Sequence, residues 1–248
     1  MKNIAAIIIA KNEQDMIKES LLSVAFCDEI IIIDNDSSDD TAKIAKQQGA
    51  RVFNVKTNDF SKLRNLGKEK ADAKWLLYID ADERLSPKLA GEIKTIVKNP
   101  PEFSAYKLLR KNFYFGHNLW PKIEKMERLF QKDKLKMWSG ELHESPHIIG
   151  NISECRNYLL HFTHRDLETM VEKTNKWSEI EAQTRFKMHH PQMTTLRFFR
   201  VILSAFYDSY IIKQGYKAKT AGIVESIFQA YSMFITYAKL WELQQKEK

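Results

Sequence analysis

Continuous apolar runs alternate with helically spaced apolar residues through the first hundred positions of the chain. Ile4–Ala10 and the runs 29–33 and 75–79 are short and rich in β-branched or aromatic residues, the pattern of buried strands, and 51–55 reads as a further short strand. Between them, residues 13–25, 41–48 and 60–73 carry apolar side chains at helical spacing. Ser86-Pro87 opens a further helix to Lys98, with a capping side chain followed by proline in the first turn. Asn99-Pro100-Pro101 stops it. Strands alternating with helices predict a parallel sheet with right-handed crossovers.

The pattern changes at Phe103. Residues 104–115 and 127–138 read as β-type segments with aromatic and basic side chains. No helix separates them, so they are expected as antiparallel strands beside the sheet. From Asp166 onward the chain reads helical. The expected organisation is an α/β domain over 1–162, with halves 1–99 and 100–162, and a helical C-terminal region over 163–248 docked on it.

Composition narrows the class. A hydrophobic fraction of 44% and a charged fraction of 29% over 248 residues are those of a soluble globular protein. Cys27 and Cys155 stand in no metal-ligand spacing and read as free thiols of a reducing compartment. The run Ile4–Ala10 lacks a following small-residue cleavage site and meets Lys11-Asn12-Glu13 at once. It reads as a first strand rather than a signal peptide, and the expected location is cytoplasmic.

The net charge of +7 is unevenly placed. Between Arg185 and Lys219 seven lysines and arginines face Asp208 alone. Such a segment suits nucleic acid, an anionic lipid surface or a phosphorylated substrate, or is simply a solvated helix face. Apolar and aromatic residues from Leu196 to Ile212 are mixed with Arg197, Arg200 and Lys213. Their charge-free stretches fall short of the ~18–20 residues of a spanning helix. A basic, amphipathic helix of this kind can lie on an anionic membrane or pack on the domain.

Two acidic clusters carry the candidate chemistry. Asp80-Ala81-Asp82 follows the buried run 75–79, so two carboxylates arrive at a strand's C-terminal end, where open α/β sheets place ligands. Hard oxygen ligands there suit Mg²⁺ or Mn²⁺ beside a phosphate group. The run 29–33 delivers Asp34-Asn35-Asp36-Ser37-Ser38-Asp39-Asp40-Thr41 in the same way. Capping of the next helix explains one or two of these polar groups. Asp34 can also accept from a base N–H or a ribose hydroxyl. Neither G-x-G-x-x-G nor a P-loop motif is present, which disfavours dinucleotide and P-loop chemistry. Arg64 precedes the second cluster and can grip phosphate or pair with Asp80 or Asp82.

Taken in order, Ile7-Ile8-Ile9-Ala10-Lys11-Asn12-Glu13, Ile33 to Thr41, Arg64-Asn65 and Tyr78-Ile79-Asp80-Ala81-Asp82-Glu83 resemble the family-2 glycosyltransferases of the GT-A fold. The resemblance spans the first ~90 residues, and the ordered set is more specific than any single motif. It implies a nucleotide-sugar half at 1–99, an acceptor half at 100–162, a UDP-sugar donor, a divalent metal (Mn²⁺ or Mg²⁺) and inversion at the anomeric carbon. Carried over, the donor site would include Ala10, Asn12, Glu13, Asp34, Ser37, Asp39, Arg64, Asp80 and Ala81, with Asp34 at the base and Asp80 at the ribose. Asp82 would face the metal, with His161 as a second ligand or a diphosphate contact. The chain departs from many members at Asn35, where they carry a second Asp.

Arg128-Leu129-Phe130, Trp138 to Glu144, His161, then Lys173 and Trp177 resemble the subgroup acting on the lipopolysaccharide core, as does the stretch from Gly215-Tyr216 to Leu240. That implies transfer of a sugar, with glucose favoured, to a lipopolysaccharide core or related lipid-linked glycan at the inner face of the membrane. No nucleic-acid partner is expected. An inverting transfer needs one general base. Glu144 is the first choice and Glu141 the second. Two alternatives stand beside this reading: a phosphohydrolase of the haloacid-dehalogenase kind, which also uses D-x-D, and a non-catalytic anion- or membrane-binding protein on the same fold.

Overall fold

The computed structural model describes residues 2–140 and 144–246. The chain forms two compact units, Met1–Lys111 with Glu124–His161, and Asn112–Ile123 with Phe162–Lys248. Segment 112–123, read from sequence with the acceptor half, thus clusters with the C-terminal helices.

The first unit is built on strands β1 (Ile4–Ala10), β2 (Glu29–Asp34), β3 (Arg51–Asn54) and β4 (Trp75–Asp80). β1 pairs in parallel with both β2 and β4, and β3 extends the row beyond β2. Beyond β4 the sheet turns antiparallel through β8 (Glu124–Gln131) and β6 (Ala105–Tyr114). It continues to β11 (Ile152–Phe162) and β5 (Glu83–Leu85). The segment expected over 127–138 therefore divides between β8 and a separate strand β9 (Leu135–Ser139), which pairs with β10 (Ser145–Ile148).

Every residue of β1 is buried, so the strand needs cover on both faces. Ile4, Ala6 and Ile8 pack with Ile17 and Leu21 of α1 (Ile17–Ser23), Ala45 of α2 (Thr41–Gln47), and Leu89 and Ile93 of α4 (Pro87–Lys98). Ala5, Ile7 and Ile9 pack with Leu63 of α3 (Phe60–Lys70), Tyr78 and Trp138. The helices begin where side chains can cap them: Asp59 accepts from the Lys62 N–H at the head of α3, and Ser86 from Leu89 at the head of α4. Gly67 lets α3 approach β1, because a Cβ there would lie 2.4 Å from Ile7 Cγ2.

The second unit contains β7 (Asn118–Leu119), which pairs with the end of β6, and helices α5 (Leu167–Lys187), α6 (Thr195–Tyr207) and α7 (Lys219–Lys246). Asp208–Ile212 is a π-helical turn and Gly215–Ala218 a 3₁₀ turn. Its core gathers Ala182, Met193, Tyr237 and Leu240. No described helix is long and apolar enough to cross a membrane.

Candidate active site

The sheet register brings the two acidic clusters to one edge. Ala10 is level with Asp34 across β1–β2, and Ile9 with Asp80 across β1–β4. Asp34 and Asp80 thus flank the end of β1, separated by two strand spacings, roughly 10 Å. Such a switch point, with neighbours wound to opposite sides, is where open α/β sheets hold ligands.

The first wall of the crevice is a pair of interlocked loops. Asn12, at φ 54°, donates its N–H to Ser37 Oγ at 2.9 Å and accepts the Ser38 N–H on Oδ1 at 2.8 Å. Glu13 donates its N–H to Thr41 Oγ1 at 2.8 Å. Asp39 accepts from the N–H groups of Thr41 (3.0 Å) and Gln14 (3.1 Å), so its carboxylate braces the turn. Burial alone would raise its pKa, but the Thr41 hydroxyl, with these N–H groups, holds it below the usual carboxylate range. Ala10 contributes its carbonyl, which accepts the Asn35 N–H at 2.8 Å.

Asp34 is only 2% exposed. Its Oδ2 accepts the Ser37 N–H at 3.2 Å, while Oδ1 is buried without a hydrogen-bond partner. A buried acceptor left so is costly unless a ligand supplies the donor. Asn35 explains its own departure from the familiar pattern. Its side chain donates to the Thr57 carbonyl at 2.9 Å and accepts the Thr57 N–H at 3.0 Å. An aspartate could make only the second of these bonds.

The second wall is a charged network around Asp80. Arg64, nearly buried on α3, donates from Nη2 to Asp80 Oδ1 at 3.3 Å and from Nε to Glu144 Oε1 at 2.7 Å. Its guanidinium lies over the Trp138 ring at 4.9 Å, and its carbonyl accepts the Tyr78 hydroxyl at 3.0 Å. Its neighbour Asn65 exchanges two 2.9 Å hydrogen bonds with the Trp138 backbone and so clamps β9 onto α3. Arg128 on β8 donates from Nη2 to Asp80 Oδ2 at 2.7 Å and to Glu83 Oε1 at 3.2 Å. Arg110 on β6 reaches the same Glu83 oxygen at 3.0 Å. Glu83 closes the loop by accepting the Asp80 N–H at 2.9 Å.

These pairings set the charges. Desolvation would raise the Asp80 pKa, but Arg128, Arg64 and Arg110 overcome it and hold the carboxyl well below the usual range. Burial would lower Arg128, yet Asp80 and Glu83 hold it above the ordinary arginine value. Each Asp80 carboxylate oxygen accepts from an arginine, Oδ1 from Arg64 and Oδ2 from Arg128. Asp80 is the anchor on which the wall is assembled.

Asp82 lies one turn further on, past the buried Ala81. β11 pairs with β5 so that His161 is level with Glu83, and this carries the His161 ring to 3.4 Å from Asp82. Burial pulls the His161 pKa down, but Asp82 and Glu83 more than offset it, and the net shift is upward. Among the described residues no three acidic, histidine or cysteine side chains converge as a metal cage. One carboxylate and one imidazole would leave most of a divalent cation's shell to a diphosphate and water. Glu141 lies outside the described residues. Lys173 and Trp177 both lie on α5 of the second unit.

Arg110 carried no sign in the sequence, and Glu83 and Arg128 entered only as members of motifs. Glu83 directly follows the acidic pair, but nothing in the sequence marks a glutamate as fully buried. Arg110 is brought in by the β6–β8 register, which is a long-range property.

This architecture is the GT-A fold of nucleotide-sugar transferases. The chain belongs to glycosyl transferase family 2, whose model matches residues 5–158. It is 29% identical over 264 residues to an uncharacterised glycosyltransferase of Rickettsia typhi, covering all of this chain and 90% of that protein. It is 24% identical over 252 residues to LpsC, a lipopolysaccharide core biosynthesis glycosyltransferase of Rhizobium meliloti, covering 96% of this chain and 92% of LpsC. Among solved structures, S. aureus TarS 1–349 in complex with UDP-GlcNAc matches over all of this chain and 93% of its own, with TM-score 0.53 and 13% identity. The phosphohydrolase alternative falls with the family match and with Asp80, which ends β4 rather than the first strand.

Proposed function

We propose that this glycosyltransferase moves a sugar from a UDP-sugar to a lipopolysaccharide core or related lipid-linked glycan, with inversion and with a divalent metal. The observation that carries the donor reading is the buried Asp34 Oδ1, which lacks a donor at the edge where β1, β2 and β4 end. A uracil N–H supplies one. The neighbouring backbone turns at Asn12 and Ser37 give the base and ribose a rigid wall. The similarity to LpsC supports the acceptor class, while glucose is favoured only by the resemblance of the sequence motifs.

Asp82 and His161 would hold the cation, which supplies charge neutralisation to the departing diphosphate. Mn²⁺ or Mg²⁺ would suit the site beside a diphosphate. Glu144 is the general base. The acceptor hydroxyl oxygen bonds to the anomeric carbon as its proton passes to the Glu144 carboxylate, and the bond from that carbon to the diphosphate oxygen breaks. Arg64 orients Glu144 through the Nε hydrogen bond, while Asp80 and Arg128 fix the guanidinium plane. Glu141 is the second candidate for the base.

A panel of nucleotide sugars, scored by thermal shift with and without Mn²⁺, tests the reading. A ligand selective for the folded state raises the unfolding temperature by mass action. A UDP-sugar should stand out in the presence of Mn²⁺, and its shift should shrink in Asp34→Ala. A panel in which no uridine nucleotide shifts the protein would overturn the donor assignment.

A further inference from the structure

Helix α6 has no buried residue. Leu196, Phe199, Leu203 and Tyr207 are 56–79% exposed. At about 100° per residue their spacing confines them to an arc of about 80° on one side of the helix. The opposite side is occupied: Phe198 and Val201 pack against the second unit's core, and the Phe198 and Phe234 rings lie 5.9 Å apart. The amphipathic pattern of α6 is therefore used on one face and left bare on the other. Ile211, Ile212 and Tyr216, 42–50% exposed, extend the apolar character beyond the helix end. Large exposed apolar side chains grouped in this way mark an interaction surface.

Charge identifies what the surface meets. Arg200 lies about 20° round the helix from Tyr207, and Arg197 sits on the same flank. Lys213 and Lys217 follow in the exposed turns. The one acidic residue between Arg185 and Lys219, Asp208, is taken by Lys213 at 2.7 Å. On α7, Glu225 is buried against His164 at 2.9 Å, and Glu242 pairs with Lys246 at 2.9 Å. A second copy seated on this face by a two-fold axis would set arginine against arginine with no carboxylate of the stripe between them. An anionic bilayer supplies both an apolar phase for the stripe and negative headgroups for its basic flank.

We propose that the Leu196–Phe199–Leu203–Tyr207 face of α6 seats the protein on an anionic membrane surface, lying in the boundary between headgroups and acyl chains. Aromatic and aliphatic side chains enter the boundary while Arg197 and Arg200 stay at headgroup level. The contact belongs to the second unit and is independent of donor chemistry. Its use in meeting a lipid-linked acceptor rests on the function proposed above.

The test is co-sedimentation with vesicles of phosphatidylcholine alone and with added phosphatidylglycerol, at low and high salt. The wild-type chain should bind the anionic vesicles at least ~10-fold more tightly than the neutral ones, and lose that preference in high salt. Phe199→Ser/Leu203→Ser should weaken anionic binding by ~10-fold or more. Arg197→Gln/Arg200→Gln should remove the preference for phosphatidylglycerol. Because these side chains are exposed, both variants should keep the wild-type unfolding temperature and UDP shift, which separates failure here from failure of the donor reading. Equal vesicle binding by wild type and Phe199→Ser/Leu203→Ser would overturn the proposal. So would absence of wild-type binding, including the case in which the serine variant abolishes a dimer instead.

Discussion

Arg64 holds Glu144 directly: its Nε donates to Oε1 at 2.7 Å, while the same guanidinium reaches Asp80 at 3.3 Å. One helix residue therefore ties the candidate base to the end of β4. Breaking one partner of a buried charge network leaves the others uncompensated. Arg64→Ala should cost on the order of 2–4 kcal/mol in denaturant unfolding, somewhat less than a fully buried pair because Asp80 is partly exposed. Sugar transfer should fall by more than the stability loss explains, since Glu144 loses its orientation. Arg64→Lys should recover part of the stability and little of the transfer, because a point charge cannot serve both carboxylates in one plane.

The Asp80 carboxyl is held below its ordinary range by Arg128, Arg64 and Arg110. A depressed folded-state pKa gives stability that is present above the unfolded value, about pH 4, and lost as pH falls through the folded value. The stability gap between wild type and Asp80→Asn should thus be constant from about pH 8 to 5 and shrink below about pH 4. Thermal unfolding of the two proteins across that range checks it. A gap that opened as pH fell would contradict the pairing.

Asn35 is a cleaner test of a single hydrogen bond. Asn35→Asp keeps the bond accepted from Thr57 N–H but sets a carboxylate against the Thr57 carbonyl. Destabilisation of about 1–3 kcal/mol is expected, measured by urea unfolding. Asn35→Asp with unchanged stability would show that the 56–58 loop is not held in this way.

Gly67 sits where α3 crosses β1. Gly67→Ala should destabilise by about 1–3 kcal/mol, because the new methyl group meets Ile7 Cγ2 in a packed core. Combined with Ile7→Leu, which removes that branch, part of the loss should return, and a double-mutant cycle on unfolding free energies measures how much.

The parallel half was legible because burial on both faces writes itself locally. β1, β2 and β4 are continuous apolar runs, and Ser86-Pro87 marks the start of α4 by capping chemistry alone. Helix α1 is shorter than its apolar spacing suggests, since Asn12 takes a left-handed conformation and 13–16 form a turn that meets the Asp39 loop. β11 escaped notice because its eleven residues are mostly half-buried or exposed and carry no clean alternation. β5 is three residues long and is stabilised by pairing with β11, a partner some seventy positions away. The site shows the same division. Asp34 and Asp82 could be placed from the ends of local runs. That Asp80 is an anchor for Arg64 and Arg128 depends on α3 and β8 converging on the end of β4.

In the function proposed above, Asp34, Asp82 and His161 frame a metal-assisted UDP-sugar site. Calorimetric titration of the donor into wild type and Asp82→Ala, each with Mn²⁺ and then with EDTA, tests it most directly. Mn²⁺ should tighten wild-type binding by ~10-fold or more, and Asp82→Ala should abolish this gain while keeping the metal-free affinity. An equal Mn²⁺ gain in both proteins, or donor binding unchanged by EDTA in wild type, would contradict it.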